Sequence, residues 1–200
     1  MTPFKDEINE YFSEDFDNLD LAEQEISSKV FEECTFTNGN FKETVFRSCK
    51  FVDCKFEKCD LSIVKLNYSR FSDVVFEECK MIGVNWTTVA WPNFTMCAPI
   101  KFFRCILNDS TFLGLSLEEI VIEACKAHDV DFRDGNFSQA SFTSSDFTNS
   151  LFNKTNLTGA DFIDATNYYI DIYQNEIKSA KFCRQEAISL LDSLGIELVD

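Results

Sequence analysis

A bulky apolar residue recurs at every fifth position along most of this chain, and few folds can bury such a pattern. The first run reads Phe16, Leu21, Ile26, Phe31, Phe36, Phe41, Phe46, Phe51, Phe56, Leu61, Leu66, Phe71, Phe76, Met81 and Trp86. A second run, one residue out of step, reads Phe102, Leu107, Phe112, Leu117, Ile122, Ala127, Phe132, Phe137, Phe142, Phe147, Phe152, Leu157, Phe162, Asn167, Ile172, Ile177 and Phe182; only Ala127 and Asn167 depart from the type. Eighteen of the 22 phenylalanines lie on these two runs, where scatter would place about a fifth of them, so the period is a repeat.

A period of five fits neither regular element. An α-helix buries a stripe with a period of 3.6 and a strand buries alternate residues, so neither can hide every fifth residue on one face. A turn after each short extended segment can. Four segments close a square coil of about twenty residues, and coils stacked at roughly 4.8 Å bond their backbones to the coils above and below. The sequence therefore predicts an all-β fold, a right-handed quadrilateral β-helix of about eight coils and on the order of 38 Å in length, with a short C-terminal capping helix. It divides into an N-terminal cap (1–15), a first repeat block (16–86), an interruption (87–101), a second block (102–182), and a C-terminal helix and tail (183–200). All belong to one domain. Phe31, Phe51, Phe71, Phe112, Phe132, Phe142 and Phe152 represent the expected inward ladder.

The position two before each central residue is expected at an inward corner with room for a small side chain. It holds Cys34, Cys49, Cys54, Cys59, Cys79, Cys105 and Cys125, seven of the nine cysteines. Cysteine acts there as a small buried hydrophobe. Zinc sites need paired ligands at short spacing, which these cysteines lack, so neither metal nor other cofactor is expected. An odd number of cysteines without an export signal points to free thiols.

Two places break the repeat. The register slips between Trp86 and Phe102, across a stretch carrying Trp91, Pro92, Asn93 and Phe94, which reads either as a bulge against the rod or as a loop touching a partner. Beyond Phe182, residues Arg184 to Leu194 carry an apolar stripe that includes Ile188, Leu190, Leu191 and Leu194, with Gly195 as C-cap and Ile196 and Leu198 in a short tail. An open last coil would aggregate, so part of the stripe is expected to cover it and the rest to serve a two-fold dimer contact.

The formal net charge of −16 argues against direct nucleic-acid binding and against adhesion to anionic lipid. The acidic amino terminus lacks a signal-peptide pattern and no 18-residue apolar run occurs, which predicts a cytoplasmic protein without a membrane span. His128, the single histidine, follows a central position and is expected in solvent, with no nucleophile or orienting carboxylate assembled around it. Neither a phosphate-binding loop nor a dinucleotide fingerprint is present, and the chain does not read as an enzyme. Its outward acids, among them Asp109, Glu118, Glu119, Asp131 and Asp134, either keep a phenylalanine-rich solenoid in solution or present an anionic rod to a basic groove made for duplex DNA.

Repeats such as Ala160-Asp161-Phe162 and Cys54-Lys55-Phe56 resemble the A(D/N)LXX signature of pentapeptide-repeat proteins, over residues 16–182. More specific segments, Lys80 to Trp86, Cys105 to Ser110, Asn167 to Phe182 and Glu186 to Leu198, resemble the group that confers albicidin resistance, quinolone resistance and microcin immunity. That resemblance implies a homodimer joined through its C-terminal ends. It also implies an acidic, DNA-like surface that engages DNA gyrase or topoisomerase IV and protects it from a poison. A scaffold or regulator binding some other cytosolic protein is the rival reading. The chain departs from the consensus in having many Cys and few Ala two before the central residue, and little Asp directly before it.

Overall fold

The computed structural model describes residues 4, 8–92 and 98–196. The chain winds into a β-solenoid of about eight coils. Short strands pair in parallel with the strand twenty residues on, as in Phe31 with Phe51 and Phe36 with Phe56. Four flat faces result. The first carries Tyr11, Phe31, Phe51 and Phe71; the second runs from Phe16 through Phe76, Phe102 and Phe142 to Phe182; the third includes Phe41, Met81 and Phe147; the fourth includes Phe46, Trp86, Phe112, Phe132 and Phe152. The ladder thus begins at Tyr11, one step before Phe16, and Phe4 packs edge-on against Tyr11, Phe16 and Phe31 beneath it.

Two local rules explain why the sequence turns every five residues. In nearly every repeat from Ser13 to Ser179 the residue two after the centre adopts a left-handed backbone, Thr88 and Gln174 being exceptions, and in many repeats the central carbonyl accepts a bond from the N–H three residues on. This is a type II turn, which usually asks for Gly or Asn. The residue before the centre supplies the second rule. Where it is Asp or Asn, its side chain in most repeats accepts the N–H two residues ahead, as Asp60 does from Ser62 at 2.9 Å and Asn156 from Thr158 at 3.0 Å.

Within the coils the rings stack in columns. Phe36 and Phe56 lie 4.5 Å apart, and Phe112, Phe132 and Phe152 follow at 5.3 and 5.0 Å with nearly parallel planes. Phe31, Phe51, Phe71, Phe112, Phe132, Phe142 and Phe152 are all buried. The small corner residues do more than fill space. Each thiol or hydroxyl donates to the carbonyl of a central residue one coil below, Cys54 to Phe31 at 3.4 Å and Ser69 to Phe46 at 3.0 Å. Several also accept the corner N–H below, Ser69 from Cys49 at 3.0 Å and Cys79 from Cys59 at 3.4 Å. Size alone would suit small hydrophobes to these corners; the backbone groups that the thiols and hydroxyls satisfy add a reason for Cys, Ser and Thr there.

The slip in register is an insertion. Across it partners lie 26 residues apart rather than 20, as in Lys80 with Ile106 and Val74 with Ile100. The ladder holds on the way in, through a 3-10 turn at Trp86–Thr88 and the bond from the Ala90 N–H to the Ser69 carbonyl, and it resumes at the strand Ile100–Phe103.

At the other end the five-residue step fails once. Asn167 does not sit at an inward centre: it is exposed in a left-handed conformation, and the neighbouring Tyr168 and Ile170 are buried instead. Ile172, Ile177 and Phe182 are only half-buried. The final helix spans Glu186–Leu194, two residues shorter than expected and with 3-10 geometry, and Gly195 closes it at φ +64°. Leu190 packs toward the core.

Candidate interaction surface

The four faces differ in how their charge is compensated. On the second face, acids and bases alternate up the stack and pair. Lys55 lies 2.9 Å from Glu57 and 2.7 Å from Glu77, Arg104 bridges Glu77 and Glu78, Lys101 meets Asp73 at 2.7 Å, and Lys181 meets Asp161 at 3.0 Å. The hydrogen bonds from Lys55 hold the Glu57 and Glu77 carboxyls below the usual range. This face is close to neutral.

The first face and its corner with the second are different. Glu32, Glu33, Asp53 and Glu119 pair with none of the described lysines or arginines, and Glu118 accepts only an amide N–H from Asn136 at 2.8 Å. Trp91 and Pro92, where the insertion begins, lie at this same face. Trp91 occupies the step after Phe71, half-buried, with its indole N–H on the Trp86 carbonyl at 3.0 Å, and Pro92 is exposed. Asn93 and Phe94 lie outside the described residues.

The other predicted contact residues are spread around the rod. Asp109 is at the corner of the third and fourth faces and Asp134 at the corner of the fourth and first, both exposed and without a described cationic partner. Asp131, on the fourth face, is held by Arg133 in a two-pronged pair at 2.9 and 2.8 Å, so its charge is largely met. Periodicity could have placed these residues on their faces, because the face repeats every twenty residues. Which acids are neutralised depends on pairs within a turn, as for Asp131, and on the neighbouring coil, as for Asp73.

The C-terminal end is apolar and open. Ile188, Leu191, Leu194 and Ile196 are exposed there, together with Tyr169 and Tyr173, whereas Leu190 is half-buried; Leu198 lies outside the described residues.

Chemistry is scarce elsewhere. Burial pushes the Cys54 thiol up to about 12, and Cys34 and Cys49 also rise through burial. Such thiols remain protonated and unreactive. The described cysteines are free, and no group of three or more His, Cys, Asp or Glu among the described residues is placed to hold a metal. His128 corrects its expectation: it is partly buried, with Nε2 2.8 Å from Asp146 Oδ2, because the side chain lies back along the third face toward the next coil. No helix among the described residues is long and apolar enough to cross a membrane.

A stacked-coil rod with five-residue sides and inward aromatic columns defines the class as a β-solenoid of pentapeptide type. Comparison with known proteins places it within that class. The family model for the pentapeptide repeat region matches residues 29–97 and 84–162, and the chain belongs to that family. A trypsin-treated structure of QnrB1, a plasmid-mediated fluoroquinolone resistance protein, superposes with a TM-score of 0.70 at 18% identity, covering 96% of this chain and 100% of that one. Full-length QnrB1 superposes with a TM-score of 0.58 at 19% identity, covering 91% and 100%. No curated protein matches the sequence.

Proposed function

We propose that this protein is a rigid anionic binding module that occupies a DNA-binding groove of DNA gyrase or topoisomerase IV and shields the enzyme from a topoisomerase poison. Charge density is the observation that carries the reading. A net charge of −16 on a rod of about 38 Å gives roughly one negative charge per 2.4 Å, against about one per 1.7 Å for duplex DNA. A groove built to bind phosphates meets a comparable field, and the stiff stack requires little ordering on binding. The likeness in fold to a fluoroquinolone resistance protein supports the choice of partner.

The unpaired acids of the first face, with Trp91 and Pro92 beside them, form the contact surface in this reading, and Asp134 extends it along the corner with the fourth face, whereas Asp109 lies on the opposite corner of the rod. The exposed apolar end at Ile188, Leu191, Leu194 and Ile196 joins two copies, which doubles the length of the anionic rod. A cytosolic location accords with this role.

The test is a supercoiling and cleavage assay with purified gyrase, DNA and a fluoroquinolone or albicidin. Graded restoration of supercoiling and loss of trapped cleavage complexes are expected as the protein is added. Unchanged supercoiling and cleavage at every concentration would refute the proposal. The neutral, ion-paired second face favours one alternative, a scaffold for a different protein. A pull-down recovering one abundant partner and no topoisomerase would select it.

A further inference from the structure

Asp146 gathers more donors than any comparable carboxylate on the rod. Its Oδ1 accepts the Thr148 N–H at 3.1 Å, the Thr148 hydroxyl at 2.7 Å and the Asn167 amide at 2.9 Å, while Oδ2 faces His128 Nε2 at 2.8 Å. Two of these bonds are the ordinary turn of a residue before a centre. The Asn167 bond is not. It reaches 21 residues up the chain, to the position where the five-residue step fails.

The failure has a definite geometry. Asp146 pairs with Thr166 at the usual spacing of twenty, but Phe152 pairs with Ile170, two residues early, and regular spacing returns at Asn156 with Glu176. Asn167, at φ +57°, points its amide down to Asp146, and Tyr168 turns inward in its place. The Tyr168 ring then lies 5.4 Å from Phe162 and 5.5 Å from Phe182, closing the top of the aromatic column under the final helix. An asparagine side chain at the inward position would sit unsatisfied among aromatic rings, so the amide needs an outside acceptor.

We infer that Asp146 is a latch: by holding the Asn167 amide outside the coil it fixes the register of residues 165–182 and seats Tyr168 as the plug of the C-terminal end. The latch is independent of any partner or assembly. It makes the last coil a separate unit of stability, able to open while the coils below remain folded.

Tyrosine nitration by tetranitromethane, mapped by peptide mass, and amide hydrogen exchange test this on the full chain. In the parent protein the exposed Tyr68, Tyr169 and Tyr173 are nitrated and Tyr168 is protected. Asp146→Ala removes the acceptor; Asn167→Gly removes only the donor while keeping the left-handed backbone accessible. Both variants are expected to expose Tyr168 to nitration and to speed exchange of amides 165–182 about ten- to a hundredfold, with amides 102–142 unchanged. Asp131→Ala, which removes an equivalent turn acceptor from a central coil, leaves Tyr168 protected. Retained protection of Tyr168 in either latch variant overturns the inference, as does loosening of the whole rod in place of its last coil.

Discussion

Truncating Phe132 to alanine isolates what the aromatic column contributes. The ring is fully buried and stacks between Phe112 and Phe152 at 5.3 and 5.0 Å, with planes within 6° and 5° of parallel. It also meets Phe137, Phe142 and Phe147 edge-on at 5.4 to 6.0 Å. Removing a buried phenylalanine side chain costs about 3–5 kcal/mol in transfer and cavity terms, and the column is too closely stacked to collapse around the gap. Two lost stacked pairs argue for the upper half of that range. Against a total stability of about 5–15 kcal/mol, the loss is at least about a quarter. Urea unfolding followed by circular dichroism measures it, with Phe182→Ala as comparison; that ring is half-buried on the terminal coil and should cost about 1–2 kcal/mol. A Phe132→Ala cost below about 1 kcal/mol, or one no larger than that of Phe182→Ala, would refute the idea that the column is a continuous packed core.

Charge reversal of Glu118 and Glu119 to Lys should abolish protection of gyrase while leaving the unfolding midpoint within about 0.5 kcal/mol of the parent, since both are exposed; undiminished protection would remove the first face from the contact. Replacing Leu191 and Leu194 with Glu should yield monomers in sedimentation velocity, and an unchanged profile would show that the stripe only covers the last coil. The corner thiols predict a pH dependence. Burial raises the folded pKa values of Cys34, Cys49 and Cys54, that of Cys54 to about 12, so above about pH 9 the unfolded chain loses protons that the folded chain keeps. Stability from these groups is complete below that pH and falls as pH rises through the window toward 12. Cys54→Ser should flatten the decline in urea titrations at pH 8 to 11, and an equal decline in the variant would count against the thiols as its source.

The solenoid was legible in the five-residue period alone. A five-residue apolar period admits no regular helix or strand, and it determined the four-sided coil, the inward phenylalanines, the small corners, and the presence of an insertion and an end cap. These follow from local rules repeated in every turn, so each repeat reports the same constraint. What depends on the coil above or below emerged with the stacking of the coils. The corner thiols turned out to satisfy backbone carbonyls 23 residues away, as Cys54 does for Phe31. The second face proved to be neutralised by pairs such as Lys55 with Glu77, while Glu118 and Glu119 stayed uncompensated. His128 proved to lie against Asp146, 18 residues on, and Asn167 proved to sit outside the ladder with its amide on Asp146, 21 residues back. A period reveals which residues share a face. Much of the charge pairing and hydrogen bonding of that face joins one coil to the next, and that part exists only once the coils are stacked.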